Sequence, residues 1–135
     1  MLPSGLPEDV DDGELLSRFL TSDSQFSRSA AKASAFMPGP TDEKTSVFRQ
    51  APEPFGELWA TADREIAPAR RVRAVAVLKG AQVRQAGLDV EASEPPLRHA
   101  NIIGWPSDAG DPDMMRAQRK ARALRLAQAA MLIVR

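Results

Sequence analysis

The chain has 135 residues, 43% of them apolar and 27% charged, with a formal net charge of zero. That is the size of one ordinary domain, large enough to fold without staples, and it carries no global field drawing it toward nucleic acid. There is no cysteine and only one histidine, His99, which removes disulfide scaffolds, thiol nucleophiles and the standard single-chain zinc sets.

The N-terminus, "MLPSGLPEDVDDG", has no basic region followed by an apolar core, so it does not read as a secretory signal. The longest apolar runs are too short to span a bilayer, and the cytoplasm is the default expectation, with no membrane partner. Residues 1–13 read as a flexible acidic lead-in, and residues 14–135 as one α+β domain. The spacing of Leu15, Leu16, Phe19 and Leu20 in "GELLSRFLT" predicts a short helix capped by Asp11 or Asp12. The serine-rich "SDSQFSRSAAKAS" fits a surface loop or an edge strand near Phe26. "ASAFMP" and "TSVFRQ" flank the turn signal "GPTDEK" and read as two extended segments.

"PEPFGELWATADREIAP" predicts a helix bounded by Pro54 and Pro68. Its apolar stripe runs through Phe55, Leu58, Trp59, Ala62 and Ile66. "RRVRAVAVL" predicts a central strand, and "KGAQVRQAG" a short helix closed by Gly87 in the left-handed conformation. "LDVEAS" is extended and "RHANIIGW" is the last strand expected. Residues 72–92 thus suggest a compact strand–helix–strand unit. The tail "DPDMMRAQRKARALRLAQAAMLIVR" predicts a long helix with Asp111 as cap and Pro112 at its first position. The fold class expected is α+β: a small mixed or antiparallel sheet of about four to five strands, packed by the mid-chain helix and the long C-terminal helix.

At 100° per residue the tail helix places Ala117, Ala121, Leu124 and Met131 on one side. Gln118, Arg119, Arg122 and Arg125 fall opposite. The alanines would approach the sheet, and the arginines would face water, a phosphate or a protein partner. Ala129–Val134 would be apolar all round a helix. It must therefore be buried under the sheet, leave the helix as a strand, or pack on another molecule.

His99 lies in "PPLRHANIIGWPSD", where strand alternation puts His99, Asn101 and Ile103 on one side, Ala100 and Ile102 on the other. A lone histidine at a strand end more often satisfies backbone groups than performs chemistry. A chemical role needs a convergent partner, and Ser46 and Arg49 of "TSVFRQ" are the candidates, with Lys32 or Lys79 suitable in type. No P-loop, nucleophile elbow, dinucleotide fingerprint or metalloprotease motif occurs, and no metal site or cofactor is expected.

"ASAFMPGP", "TSVFR" and "RHANIIGWP" resemble, in order and spacing, the A-F-x-P, S-V-x-R and H-A-N-I-x-G-W-P blocks of an uncharacterised family of small bacterial proteins. The resemblance covers most of residues 14–134 and implies no activity or cofactor. It sets Phe36, Pro38, Ser46, Arg49, His99 and Gly104 on matching positions. Ser46, Arg49 and His99 would then form an anion-binding cluster or a structural network between strands.

Three functions follow as expectations. The first is a non-enzymatic module that binds a larger protein partner, or itself, through the C-terminal helix with Arg119, Arg122, Arg125 and Met131. The second is a small enzyme or binding domain for a phosphate-bearing or nucleotide-like ligand held by Arg49, Ser46, His99 and Asn101, with His99 and Ser46 as catalytic candidates. The third is nucleic-acid binding through the basic helix face.

Overall fold

A computed structural model describes residues 2–49, 56–66, 70–107 and 110–135. Among the described residues six strands form one fully antiparallel sheet: β1 (Leu15–Leu20), β2 (Thr45–Arg49), β3 (Ala74–Lys79), β4 (Asp89–Ala92), β5 (His99–Ile103) and β6 (Met131–Val134). Their order across the sheet is β4-β5-β2-β1-β3-β6. With them, among the same residues, three helices, α1 (Gly56–Glu65), α2 (Gly80–Gln85) and α3 (Pro112–Ala129), make an α+β fold. No described helix is long and apolar enough to cross a membrane.

The segment expected as the first helix is strand β1. Its apolar residues suit either period, and two-sided burial decides between them. Leu16 and Leu20 enter the larger core cluster on one face, while Phe19 enters a second cluster on the other. Six consecutive pairs with β3, from Leu15–Lys79 to Leu20–Ala74, lock the register. "ASAFMP" is corrected too: Ala33–Ala35 form a 3-10 turn that drops Phe36, fully buried, into the larger cluster. The Thr45 hydroxyl donates to the Phe36 carbonyl at 2.8 Å, satisfying the turn. "TSVFR" is strand β2 as expected.

β3, α2 and β4 exist where expected but do not make a compact unit. Three strands, β1, β2 and β5, separate β3 from β4. The larger cluster lies between one sheet face and α2, α3 and the Ala33–Ala35 turn, and holds Val83, Leu126 and Trp105. The opposite face carries the smaller cluster, where Leu58 and Ala62 of α1 meet Phe19, Phe48, Val75 and Val77. Trp59, expected in the core, is half-buried at its margin, with the Arg135 guanidinium 5.0 Å from its ring centroid. Phe55, Pro54 and Pro68 lie outside the described residues.

The chain leaves α3 at Ala130 and returns as β6, the second of the three outcomes open to its apolar end. Strand β3 would otherwise present a free ladder edge. β6 pairs with it from Val77–Met131 to Ala74–Val134 and sends Leu132 and Ile133 to opposite faces. Residues 2–14 pack onto the domain. Val10 is 3% exposed within the larger cluster, and the Asp12 carboxylate pairs with Arg84 at 2.6 Å.

Gly87 ends the α2 turn at φ +82°, as its position predicts. An added Cβ would meet only Arg122 atoms at 3.6 Å, an ordinary contact, so the penalty lies in the backbone. Gly87→Ala is expected to lower stability by about 1–2 kcal/mol in urea unfolding. Gly13→Ala, at an ordinary φ in open space, should stay within about 0.5 kcal/mol of the parent.

Candidate functional site

Alternation along β5 places Ala100 and Ile102 in the larger cluster and leaves His99, Asn101 and Ile103 on the opposite face. The antiparallel register sets Phe48 across from His99 and Ser46 across from Asn101. The His99 Nε2 reaches diagonally to the Ser46 Oγ at 2.5 Å, and its Nδ1 lies 2.9 Å from the Ser93 carbonyl oxygen. A carbonyl only accepts. Nδ1 is therefore the donor of that pair, and in the neutral ring Nε2 presents its lone pair to the Ser46 hydroxyl, which donates to it. Phe48 packs edge-on against the imidazole at a centroid distance of 5.3 Å. The ring is thus held in orientation and tautomer, while both Ser46 and His99 stay half-buried. This relay ties β2 through β5 to the residue after β4.

Asn101 is buried to 8% exposure beside Ser46, and its side-chain amide makes no hydrogen bond among the described residues. Beneath Ser46, on the other face, lies Arg18. Its Nη1 donates to the Ser46 carbonyl at 2.9 Å and its Nε to the Ala35 carbonyl at 2.8 Å. Among the described residues Arg18 has no carboxylate partner, and burial lowers its pKa from the ordinary arginine value. Arg18 was not singled out in the sequence; the only hint was a cation inside an apolar strand run.

Arg49 does not join this group. It shares the face of Val47, opposite Ser46 and Phe48, and is 1% exposed. Its Nε and Nη2 hold both Glu14 oxygens, at 2.5 and 2.7 Å, and Nη1 donates to the Pro7 carbonyl at 2.6 Å. The Glu14 hydrogen bond raises the Arg49 pKa. The expected three-residue anion cluster is therefore corrected: Ser46 and His99 meet, and Arg49 instead clamps the N-terminal segment to the sheet.

The alanine side of α3 faces away from the sheet, contrary to expectation, while Gln118 and Arg125 are exposed as expected. Arg119 is buried with Ala123, Leu126 and Ala127, while Ala117, Ala121 and Leu124 are exposed. The Arg119 Nε donates to the Pro106 carbonyl at 2.6 Å, and its Nη2 pairs with Glu43 at 2.8 Å. Arg122 donates to the Gly87 carbonyl at 3.1 Å and Arg125 to the Gln85 carbonyl at 2.8 Å. All three arginines are tethers that bind α3 to loops of its own domain. Met131, projected onto the helix, instead begins the edge strand β6 and is 55% exposed.

Among the described residues no group of three or more metal-ligating side chains converges. The chain matches no protein-family model, no curated protein and no solved structure. Its function has to be argued from the chemistry of its own residues.

Proposed function

We propose that the chain is a binding module that acts with a larger protein partner, docking through the outer face of α3. The observation that carries this reading is the inverted distribution on that helix. Arginines 119, 122 and 125 bond inward, whereas Met114 (57% exposed), Ala117, Ala121 and Leu124 (46% exposed) form an outward strip at spacings of 3, 4 and 3. Apolar residues at that spacing line one side of a helix and lack the burial that such a stripe needs. The strip is about 15 Å long at 1.5 Å per residue, and its two alanines permit close approach of a partner helix.

The exposed cations Arg116 and Lys120 lie along one side of it, and Asp113, 3.8 Å from Arg116, offsets one of them, which leaves a net positive margin suited to a partner with acidic groups beside its apolar surface. A second copy of the chain would meet that margin with the same net charge, which favours a different protein. The exposed side chains of Met131 and Val134 on β6 add a free strand edge as a secondary contact.

Capture of a partner from an extract of the native host, compared between the parent and surface variants, tests the reading. Leu124→Glu and Ala121→Glu are expected to weaken capture at least about 30-fold while leaving the fold intact. A strictly monomeric protein that captures nothing, or capture that survives both substitutions, overturns it.

A further inference from the structure

We propose that Ser46 is a nucleophile activated by His99, and that the sheet face opposite α3 hydrolyses small, activated carboxylic esters. The proposal goes beyond the docking reading and uses none of its residues. Its basis is the order of the relay: hydroxyl, imidazole lone pair, imidazole N–H, fixed acceptor. Ser46 donates to Nε2 across 2.5 Å, and the Ser93 carbonyl holds Nδ1–H at 2.9 Å. A serine becomes nucleophilic when an adjacent base takes its proton and a third group fixes that base. Here a backbone carbonyl is the third group. It orients the ring but, lacking a full negative charge, stabilises the imidazolium less than a carboxylate would, so turnover is slow.

Two further features supply the electrostatics. The Asn101 amide, cross-strand from Ser46 and without another side-chain hydrogen bond among the described residues, is placed as an oxyanion donor. The Arg18 guanidinium, bonded to the Ser46 carbonyl with no carboxylate partner among the described residues, adds positive potential beneath the nucleophile. Phe48 borders the His99 ring and offers apolar contact to a short acyl chain.

In the first step the Ser46 Oγ bonds to the ester carbonyl carbon while its proton passes to His99 Nε2, and the C=O electron pair moves onto oxygen beside Asn101. Collapse of the adduct breaks the bond to the alkoxide, which takes the proton from Nε2 and leaves as the alcohol. Water then attacks the acyl–Ser46 carbon, giving a proton to Nε2. The Oγ–carbon bond breaks, the proton returns to Oγ, and the carboxylic acid departs. The balance is ester plus water to acid plus alcohol.

The test treats the full chain with a fluorophosphonate, which forms a stable bond to activated serines, followed by intact-mass and peptide mapping. One adduct at Ser46 is expected, together with slow hydrolysis of p-nitrophenyl acetate. Ser46→Ala should lose both, and His99→Gln should slow labelling about 100-fold. No adduct at Ser46, or equal labelling in His99→Gln, overturns the proposal. Should His99→Gln fail to fold, His99→Phe, which keeps a ring against Phe48, takes its place, and labelling at the parent rate overturns the proposal.

Discussion

Arg49→Met is expected to cost about 3–5 kcal/mol of folding stability. The Arg49 side chain is wholly buried, and its donors serve two oxygens of Glu14 and the carbonyl of Pro7. Methionine fills similar volume but leaves a largely buried carboxylate and a carbonyl without donors, and that desolvation is the cost. Removing both charges tests the cause. Arg49→Met combined with Glu14→Leu should recover much of the loss, because the unpaired carboxylate goes with it. Urea unfolding of the parent, both single variants and the double variant completes the cycle. A loss below about 1 kcal/mol in the single variant would mean that the clamp contributes little and that Val10 and the Asp12–Arg84 pair hold the N-terminal segment.

Two neighbouring leucines on α3 give the second large effect and decide its orientation. Leu126 is fully buried in the larger cluster, and Leu126→Ala is expected to destabilise by about 2–5 kcal/mol through lost burial and the cavity left behind. Leu124, two residues away, is 46% exposed, and Leu124→Ala should change stability by no more than about 0.5 kcal/mol. The orientation first expected from the sequence, with Leu124 toward the sheet, predicts the reverse ranking. The same pair separates stability from docking. Leu124→Ala should weaken partner capture without unfolding the chain, and Leu126→Ala should do the opposite at concentrations where the fold survives.

Where local chemistry sufficed, the sequence was readable. Asp111 accepts from the Asp113 and Met114 N–H groups and starts α3 just where a capping aspartate before a proline should. Gly87 closes α2 because its backbone needs φ near +82°. The turn before β2 and strands β3 and β5 were legible from punctuation and alternation, including which side of β5 carries His99. The candidate site was legible only in its components. Ser46 and His99 lie 53 residues apart, and a β2–β5 register makes them neighbours.

By itself, then, the sequence determined the class of fold, the start of α3, the end of α2, and the alternation that sets His99 and Asn101 on one face. The tertiary structure alone decided the rest. It made "LLSRFL" and "MLIV" strands because each fills a place beside β3 and has apolar partners on both faces. It tied Arg119, Arg122 and Arg125 back to the domain because carbonyls of Pro106, Gly87 and Gln85 accept their donors. It parted Arg49 from His99 because β2 sends neighbouring residues to opposite sides of the sheet. Local propensity acts over a few residues, whereas ladder pairing and buried charge compensation depend on groups that only the folded chain brings together.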